Sequence, residues 1–326
     1  MPLAADALQP FIVEGLLSTS GRTAATTLAE VITAPKAGYD FSVVDATKTV
    51  ILDFRESTAI TAALASDCGR FSSASFQSAA YVAVELTEGD KFAWALVKLY
   101  YSAFYAGHAL IRVLGEGCSF FYKKHTEHLS EMCATVGIKP TFRIEAGLYH
   151  CLLNDNATAI SFLRARGTAG GAHESFWLIF GNKLRAVSEE ILRGDLTRVD
   201  AQNVFSQFDQ LLQIIGRQGG YSWLSRVRND LQYQHAHEAW YPSKVRPRKR
   251  EALGRLAAQW TGEPMVIDMH GGQLGPFGLL GDFVSSCAFI ISLCRDILLR
   301  IADSSSEGAR SFVRVGPLAL LNHIQG

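Results

Sequence analysis

The sequence lacks an excess of charge of either sign, because its 31 lysine and arginine residues are matched by 31 aspartate and glutamate residues. This balance excludes a uniformly basic nucleic-acid binder, while a local basic patch stays compatible with it. Charged residues are only 19% of the chain and hydrophobic residues 48%, a composition typical of packed proteins and not of disordered ones. At 326 residues the chain has enough material for one large domain or two ordinary ones.

Two kinds of hydrophobic segment are also missing. The first residues, from Met1 to Asp6, lack the basic start and the continuous apolar stretch of a secretory signal. The most apolar run, at 283–294, is well short of the ~20 apolar residues that a membrane-spanning helix needs. These absences predict a cytoplasmic protein without a membrane segment.

Recognisable metal and cofactor motifs are absent as well. The six cysteines include no Cys-x-x-Cys pair, so we interpret them as reduced thiols in the core. His125 and His128 have no acidic or cysteine companions that would complete a metal site. None of the glycine pairs is followed by Lys-Ser or Lys-Thr, as a phosphate loop requires. The sequence therefore predicts neither a metal nor another cofactor.

Hydrophobic patterning divides the chain into a part with predicted strands and a part with predicted helices. In the first ninety residues, β-branched runs at 41–44 and 49–54 predict a hairpin, and a further strand is predicted at 81–86. From residue 91 onward, apolar residues recur at three- and four-residue spacing, which predicts helices. We expect these helices at 91–115, 125–136, 144–166, 173–193, 197–216, 221–238, 248–260 and 277–302, with a short strand at 264–269.

The predicted fold class is therefore mainly α. We expect a smaller mixed α/β region at 1–90, a helical domain at 91–303 and a C-terminal tail at 304–326.

One segment, residues 228–235 (RNDLQYQH), stands out for its chemistry. Arg228 and His235 are seven positions apart, which on a helix places them within about 20° of the same face and roughly 10 Å apart along the axis. A histidine can exchange protons with a ribose 2′-hydroxyl or a leaving 5′-oxygen, and a guanidinium can bind phosphate oxygens in pairs. Considered alone, such a pair is more typical of a solvated helix surface, and a kink or a second subunit has to close the axial gap.

The segment resembles the ribonuclease motif of HEPN (higher eukaryotes and prokaryotes nucleotide-binding) domains, in which arginine, a polar residue that is often asparagine, and a later histidine follow one another. Residues 100–110 (YYSAFYAGHAL) are similar to the early HEPN helix with its Tyr-Tyr-x-x-Phe core, although an aromatic core helix would look the same. The resemblance covers about 91–240. The toxin branch of the family has a modified tyrosine two places after the histidine, where this chain has His237, so that mode of regulation is not expected.

The resemblance implies a HEPN-like helical bundle and a metal-independent endoribonuclease that leaves 2′,3′-cyclic phosphate ends. In that role Arg228 binds the phosphate and stabilises its charge, Asn229 holds the local geometry, and His235 acts as general acid and base. The resemblance also implies a homodimer in which two Arg–His pairs face one groove. By association alone it suggests an RNA-cleaving effector of bacterial antiphage defence or a toxin, acting with a defence-system partner protein.

Further candidate residues surround the motif. A basic run that would grip RNA phosphates, or else form a solvated surface loop, comprises Lys244, Arg246, Arg248, Lys249 and Arg250. Beside it, Trp240 and Tyr241 are candidates for base stacking, with core packing as the first expectation for Trp240. His108, Asp230 and His237 are auxiliary candidates, and a satisfied core or surface histidine is the commoner role for His108.

The competing hypothesis is a non-catalytic assembly or sensor module that binds a partner protein. Location distinguishes the two hypotheses. A catalytic pair requires Arg228 and His235 partly exposed in a shared basic groove, whereas a structural Arg228 would be buried against carboxylates.

Overall fold

The computed structural model describes residues 3–21, 26–33, 38–165, 171–241, 244–271 and 274–325. Most of these residues are helical, which confirms the mainly α fold class. The helices are α1 (Leu3–Leu8), α2 (Glu14–Leu17), α3 (Thr58–Ala79), α4 (Val82–Glu88), α5 (Phe92–Val113), α6 (Lys123–Thr135), α7 (Gly171–Ile191), α8 (Arg198–Ile215), α9 (Trp223–Tyr233), α10 (Pro247–Ala258), α11 (Gly278–Ser304), α12 (Phe312–Val315) and α13 (Pro317–Gln325). The strands are β1 (Tyr39–Val44), β2 (Thr49–Phe54), β3 (Glu116–Phe121), β4 (Gly147–Leu153) and β5 (Ala159–Arg164).

The five strands form one antiparallel sheet in the order β1-β2-β5-β4-β3. Strands β1 and β2 are the hairpin expected from their β-branched runs, with Val44 paired to Thr49 at the turn. Strand β2 also pairs with β5, so the first ninety residues contribute to the same sheet as residues 116–164. The sheet thus crosses the boundary that the sequence pattern indicates at residue 90.

The helix predicted at 144–166 is wrong, because this segment forms strands β4 and β5. In β4 the buried side chains alternate, with Tyr149 and Cys151 facing the core, as a half-buried strand requires. The turn between the strands is held by Asn154, whose side-chain carbonyl accepts hydrogen bonds from the backbone N–H groups of Thr158 and Ala159. An asparagine side chain that mimics a backbone turn is a sequence signal for a turn between two strands. The helix-like spacing of the apolar residues in this segment obscured that signal.

Two predicted strands are also wrong. Residues 81–86 lie in and just before helix α4, where Val82 and Leu86 are buried one turn apart. Residues 264–269 begin with a short 3-10 turn in place of a strand. The amide of Gln207 donates to the carbonyls of Met265 and Ile267, which takes the place of a pairing strand there.

Helix α5 occupies the centre of the protein and packs against α3, α4, α7, α9 and α11. Its small and apolar side chains are buried around most of its circumference, which explains why its sequence is typical of a core helix. The segment predicted as a C-terminal tail includes helices α12 and α13, and α13 packs on α3. None of the helices in the described ranges is long and apolar enough to cross a bilayer.

Candidate functional site

Helix α9 positions Arg228 but not His235. The helix packs on α5 and ends at Tyr233, so the prediction of one helix over 221–238 is wrong. His235 has the left-handed backbone conformation, with φ 52°, and a 3-10 turn at Ala236–Glu238 follows it. Arg228 and His235 therefore do not share a helix face.

A single hydrogen bond explains where α9 stops. The indole N–H of Trp240 donates to the carbonyl oxygen of Leu231 at 2.6 Å. In a continuing helix this carbonyl would accept from the N–H of His235, four residues later. Trp240 takes that acceptor and caps the helix, so the chain is free to turn away before His235.

The Arg228 side chain is buried, with the residue 6% exposed, and lies against two aromatic rings. Its Cζ atom is 5.2 Å from the ring centroid of Tyr100 and 5.6 Å from that of Tyr101, within the range of cation–π contacts. One terminal nitrogen, Nη1, donates to Oε1 of Gln232 at 3.3 Å, and Nε is buried without a hydrogen-bond partner. No carboxylate in the described ranges lies within ion-pair distance of Arg228.

This lack of a carboxylate sets Arg228 apart from three other largely buried arginines. Each of them has a carboxylate partner: Arg112–Asp67 at 3.1 Å, Arg217–Asp282 at 2.7 Å and Arg295–Asp296 at 2.7 Å. A buried charge without a counter-charge is costly, and the aromatic faces around Arg228 offset only part of that cost. The Arg228 guanidinium is therefore a buried cation with no counter-charge among the residues that the structure describes.

A hydrogen-bonded network continues from the hydroxyl of Tyr100. The indole N–H of Trp177 donates to the Tyr100 hydroxyl at 3.1 Å, and that hydroxyl lies 2.9 Å from Nδ1 of His173. The hydroxyl proton is free to bond to Nδ1, which places the imidazole proton on Nε2. Burial raises the pKa of Tyr100 to about 12. Burial, together with the charge of Arg228, lowers the pKa of His173 to about 4, so His173 is neutral at pH 7.

His173 is the site residue that sequence reasoning missed. It is 73 positions from Tyr100, and only the packing of α7 against α5 brings the two together. No local spacing could have indicated this contact.

His235 lies in an exposed aromatic cluster at the other end of the site. Its ring centroid is 5.4 Å from that of Trp240, and Trp240 in turn contacts Trp94 edge to face at 5.4 Å. The His235 side chain has no hydrogen bond to any residue that the structure describes. Its imidazole is accessible to a ligand.

The contacts of Arg228 and Trp240 with α5 show where the predicted pair lies. Arg228 contacts Tyr101, while the chain after α9 returns to Trp94, seven residues earlier on α5. That separation is two helical turns, or about 10 Å along α5. The fold brings Arg228 and His235 to one side of α5 but not into contact with each other.

The residues next to Arg228 and His235 in the chain make few side-chain hydrogen bonds within the described ranges. Asn229 and Asp230 are half-buried on α9, and no side-chain hydrogen bond of either is found among the described residues. Partial burial lowers the pKa of His237, with the charge of Asp230 opposing and that of Lys249 adding to the shift. The charges of Asp230 in the motif and Lys249 in the basic run thus both act on His237, whose auxiliary role stays a prediction.

The basic run extends from the loop into helix α10, with Pro247 in its first turn. Lys244 lies 5.2 Å from the ring centroid of Tyr241 and at 4.0 Å from Glu238. The side chains of Arg246, Arg248 and Lys249 are exposed. Arg250 differs from them because it donates to the carbonyl of Glu88 and fastens α10 to the end of α4.

His108 does not face the motif, which corrects its auxiliary role. Its imidazole is stacked between Phe71 at 4.7 Å and Phe176 at 3.9 Å, and Nη1 of Arg112 lies 3.2 Å from its Nδ1. Burial, with the charge of Arg112, holds its pKa well below the usual value. His108 is a neutral core histidine.

All six cysteines are buried and unpaired. Within the described ranges, no group of three or more histidine, cysteine, aspartate or glutamate side chains is arranged to hold a metal ion. No protein-family model, curated protein or solved structure matches this chain. The function therefore has to be inferred from the geometry of the site and from the motif resemblance.

Proposed function

We propose that this protein is a metal-independent endoribonuclease of the HEPN type, in which Arg228 binds the scissile phosphate and His235 transfers protons. The observation that carries the proposal is the buried guanidinium of Arg228 without a carboxylate partner. A phosphate would supply the missing negative charge and accept charge-assisted hydrogen bonds. The resemblance of residues 228–235 to the ribonuclease motif supports RNA as the source of that phosphate.

The contacts of Arg228 suggest how the phosphate is bound. Nε has no partner, and the 3.3 Å bond from Nη1 to Gln232 is long for a charged donor, so it is easily exchanged. Displacement of the Gln232 amide would open two N–H donors to phosphate oxygens. The two tyrosine rings would hold the guanidinium plane in place during this exchange.

In the proposed reaction, the ribose 2′-oxygen attacks phosphorus while a histidine removes its proton. The bond from phosphorus to the 5′-oxygen breaks, and a protonated His235 imidazole donates a proton to that oxygen. The products are a 2′,3′-cyclic phosphate and a 5′-hydroxyl. Because His235 does not contact Arg228 of its own chain, we propose that a homodimer brings the two groups to one phosphate. Asn229 would hold the local geometry of α9.

The burial of Arg228 favours a second candidate function, a non-catalytic assembly or sensor module. In that case a carboxylate of a partner protein, and not a phosphate, would neutralise Arg228. The biological setting that the resemblance implies, antiphage defence or a toxin, stays a prediction under either candidate.

The test is incubation of labelled total RNA and tRNA with the purified protein in EDTA, beside the variants Arg228→Met and His235→Ala. Cleavage that yields cyclic-phosphate ends and disappears in both variants is the expected result. Arg193→Ala, at an exposed arginine in the turn after α7, is the matched control and should cleave normally. Cleavage that persists in Arg228→Met would contradict the proposal, and so would the absence of cleavage by the unmodified protein with all of these RNAs.

A further inference from the structure

Two tryptophans form a solvent-facing aromatic surface next to His235. Trp94, near the start of α5, is 49% exposed, and Trp240 is half-buried. We call Trp94, Trp240 and His235 the aromatic platform. The other three tryptophans of the chain, Trp177, Trp223 and Trp260, are buried in the core.

The exposure of Trp94 is not required by the packing of α5. The neighbouring residues Ala95 and Leu96 are fully buried and anchor this end of the helix. An indole is the largest apolar side chain, and leaving half of it in water gives up stabilisation that burial would provide. The platform therefore presents exposed aromatic rings, with Trp94 set edge to face against Trp240, that are available to a ligand.

Two lysines lie near residues that are adjacent to the platform in the chain. Lys244 lies over the ring of Tyr241, the residue next to Trp240. The charge of Lys249 acts on His237, which is in the same turn as His235. Aromatic rings interleaved with lysines are the combination that binds single-stranded nucleic acid, through base stacking and phosphate attraction.

We propose that the aromatic platform stacks an unpaired base of single-stranded RNA and so makes unpaired RNA the substrate class. This inference rests on the proposed function, because the stacked nucleotide would lead its neighbouring phosphate toward Arg228. Trp94 and Tyr101 are on one side of α5, two helical turns apart, so a strand that runs from the platform along that side would reach the guanidinium once the Gln232 amide is displaced. Bases within a duplex are already stacked and cannot occupy the platform.

The experiment measures binding without cleavage, so that its failure is distinguishable from failure of the proposed reaction. The full-length protein is titrated with a single-stranded 2′-O-methyl adenosine oligonucleotide of about ten nucleotides, a length that one binding groove accommodates. The missing 2′-hydroxyl prevents cleavage. Tryptophan fluorescence reports stacking, because Trp94 and Trp240 are the two tryptophans that a ligand can reach. Anisotropy of a labelled oligonucleotide reports affinity.

We expect saturable quenching of tryptophan fluorescence by the single strand, and none by a duplex of the same sequence. Trp94→Phe should bind the oligonucleotide with a smaller quenching amplitude. Trp94→Ala should bind about tenfold more weakly, since stacking of one base on an aromatic ring is typically worth that factor or more. The matched control is Tyr81→Ala, which removes an aromatic side chain that is 69% exposed and outside the platform.

Three outcomes would overturn the inference. They are unchanged affinity in Trp94→Ala, equal binding of an abasic oligonucleotide of the same charge, and a loss of self-association in Trp94→Ala without any oligonucleotide binding. The last outcome would make the platform a protein interface. Binding that behaves as expected in a protein that cleaves no RNA would support the platform and contradict the proposed reaction alone.

Discussion

The guanidinium of Arg228 lies over the ring of Tyr100, with 5.2 Å between Cζ and the ring centroid. The hydroxyl of the same tyrosine is hydrogen-bonded to Trp177 and to His173, and these bonds restrain the position of the ring. Arg228 is therefore held by aromatic faces and one amide, with no carboxylate. This arrangement keeps the cation in place and leaves its charge without a counter-charge among the described residues.

The first prediction concerns stability. Arg228→Met keeps a long side chain and removes a buried charge that has no counter-charge, so we expect the free energy of unfolding to stay unchanged or to increase by about 1 kcal/mol. Arg112→Met should instead lower it by about 3 kcal/mol, because it removes the buried cation that pairs with the Asp67 carboxylate and leaves the exposed Arg70 as its remaining ion-pair partner. Urea denaturation of both variants measures the difference. Equal destabilisation by the two substitutions would show that Arg228 has a structural role like that of Arg112.

The second prediction concerns pH. The pKa of His173 in the folded protein is lowered to about 4 from 6.5, so between these values the unfolded chain binds a proton that the folded protein does not. The stability contributed by the neutral imidazole is therefore complete above pH 6.5 and is lost as the pH falls toward 4. His173→Gln removes the titrating group and should lose less stability than the unmodified protein between pH 7 and pH 5.

Other buried histidines, such as His108, also lose stability in acid, so only the difference between the two proteins is informative. Denaturant midpoints at several pH values provide it. Parallel pH profiles for the unmodified protein and His173→Gln would refute the assignment.

The third prediction concerns the amide that covers Arg228. Gln232→Ala removes the acceptor that competes with a phosphate for Nη1 of Arg228. We therefore expect a nucleoside 3′-monophosphate to bind about threefold more tightly, because one weak competing hydrogen bond is lost. Isothermal titration calorimetry measures the affinity. Gln234→Ala, in the exposed turn after α9, is the control and should bind normally. Weaker binding by Gln232→Ala would mean that the amide contacts the ligand directly.

The fourth prediction concerns the basic run. Lys249→Ala removes an exposed cation at the start of α10. We therefore expect a plot of the logarithm of the RNA association constant against the logarithm of salt concentration to become less steep. The slope should change by about 0.7 for each RNA phosphate that the protein no longer neutralises. Lys123→Ala, an exposed lysine on α6, should leave the salt dependence unchanged. An identical slope for Lys249→Ala and the unmodified protein would place the basic run outside the RNA path.

The sequence was most informative where the signal was local. The hairpin of β1 and β2 and the central helix α5 follow from β-branched runs and from dense apolar spacing, and both are present. The segment 144–166 has apolar residues that fit either period, and its pairing with β2 and β3 decides the strand conformation. Long-range pairing of that kind cannot be read from a short window.

The same limit applies to the candidate site. Arg228 was recognisable from its neighbours in the chain, because the motif is contiguous. The end of α9 before His235 depends on a hydrogen bond from Trp240, nine positions after its acceptor. His173 reaches Tyr100 only through helix packing. Residue order indicates the arginine, but tertiary contacts determine what surrounds it.

The most direct test is whether a phosphate binds to the Arg228 side chain. In the ¹H–¹⁵N NMR spectrum of the arginine side chains, the Nε–H signal of Arg228 is assigned as the one missing from Arg228→Met. Titration with a 2′-O-methyl dinucleotide should shift that signal strongly downfield and saturably, because an unpartnered donor gains a charged acceptor. The paired Nε–H of Arg112 should not move. A stationary Arg228 signal at saturating dinucleotide would contradict its role as the phosphate ligand.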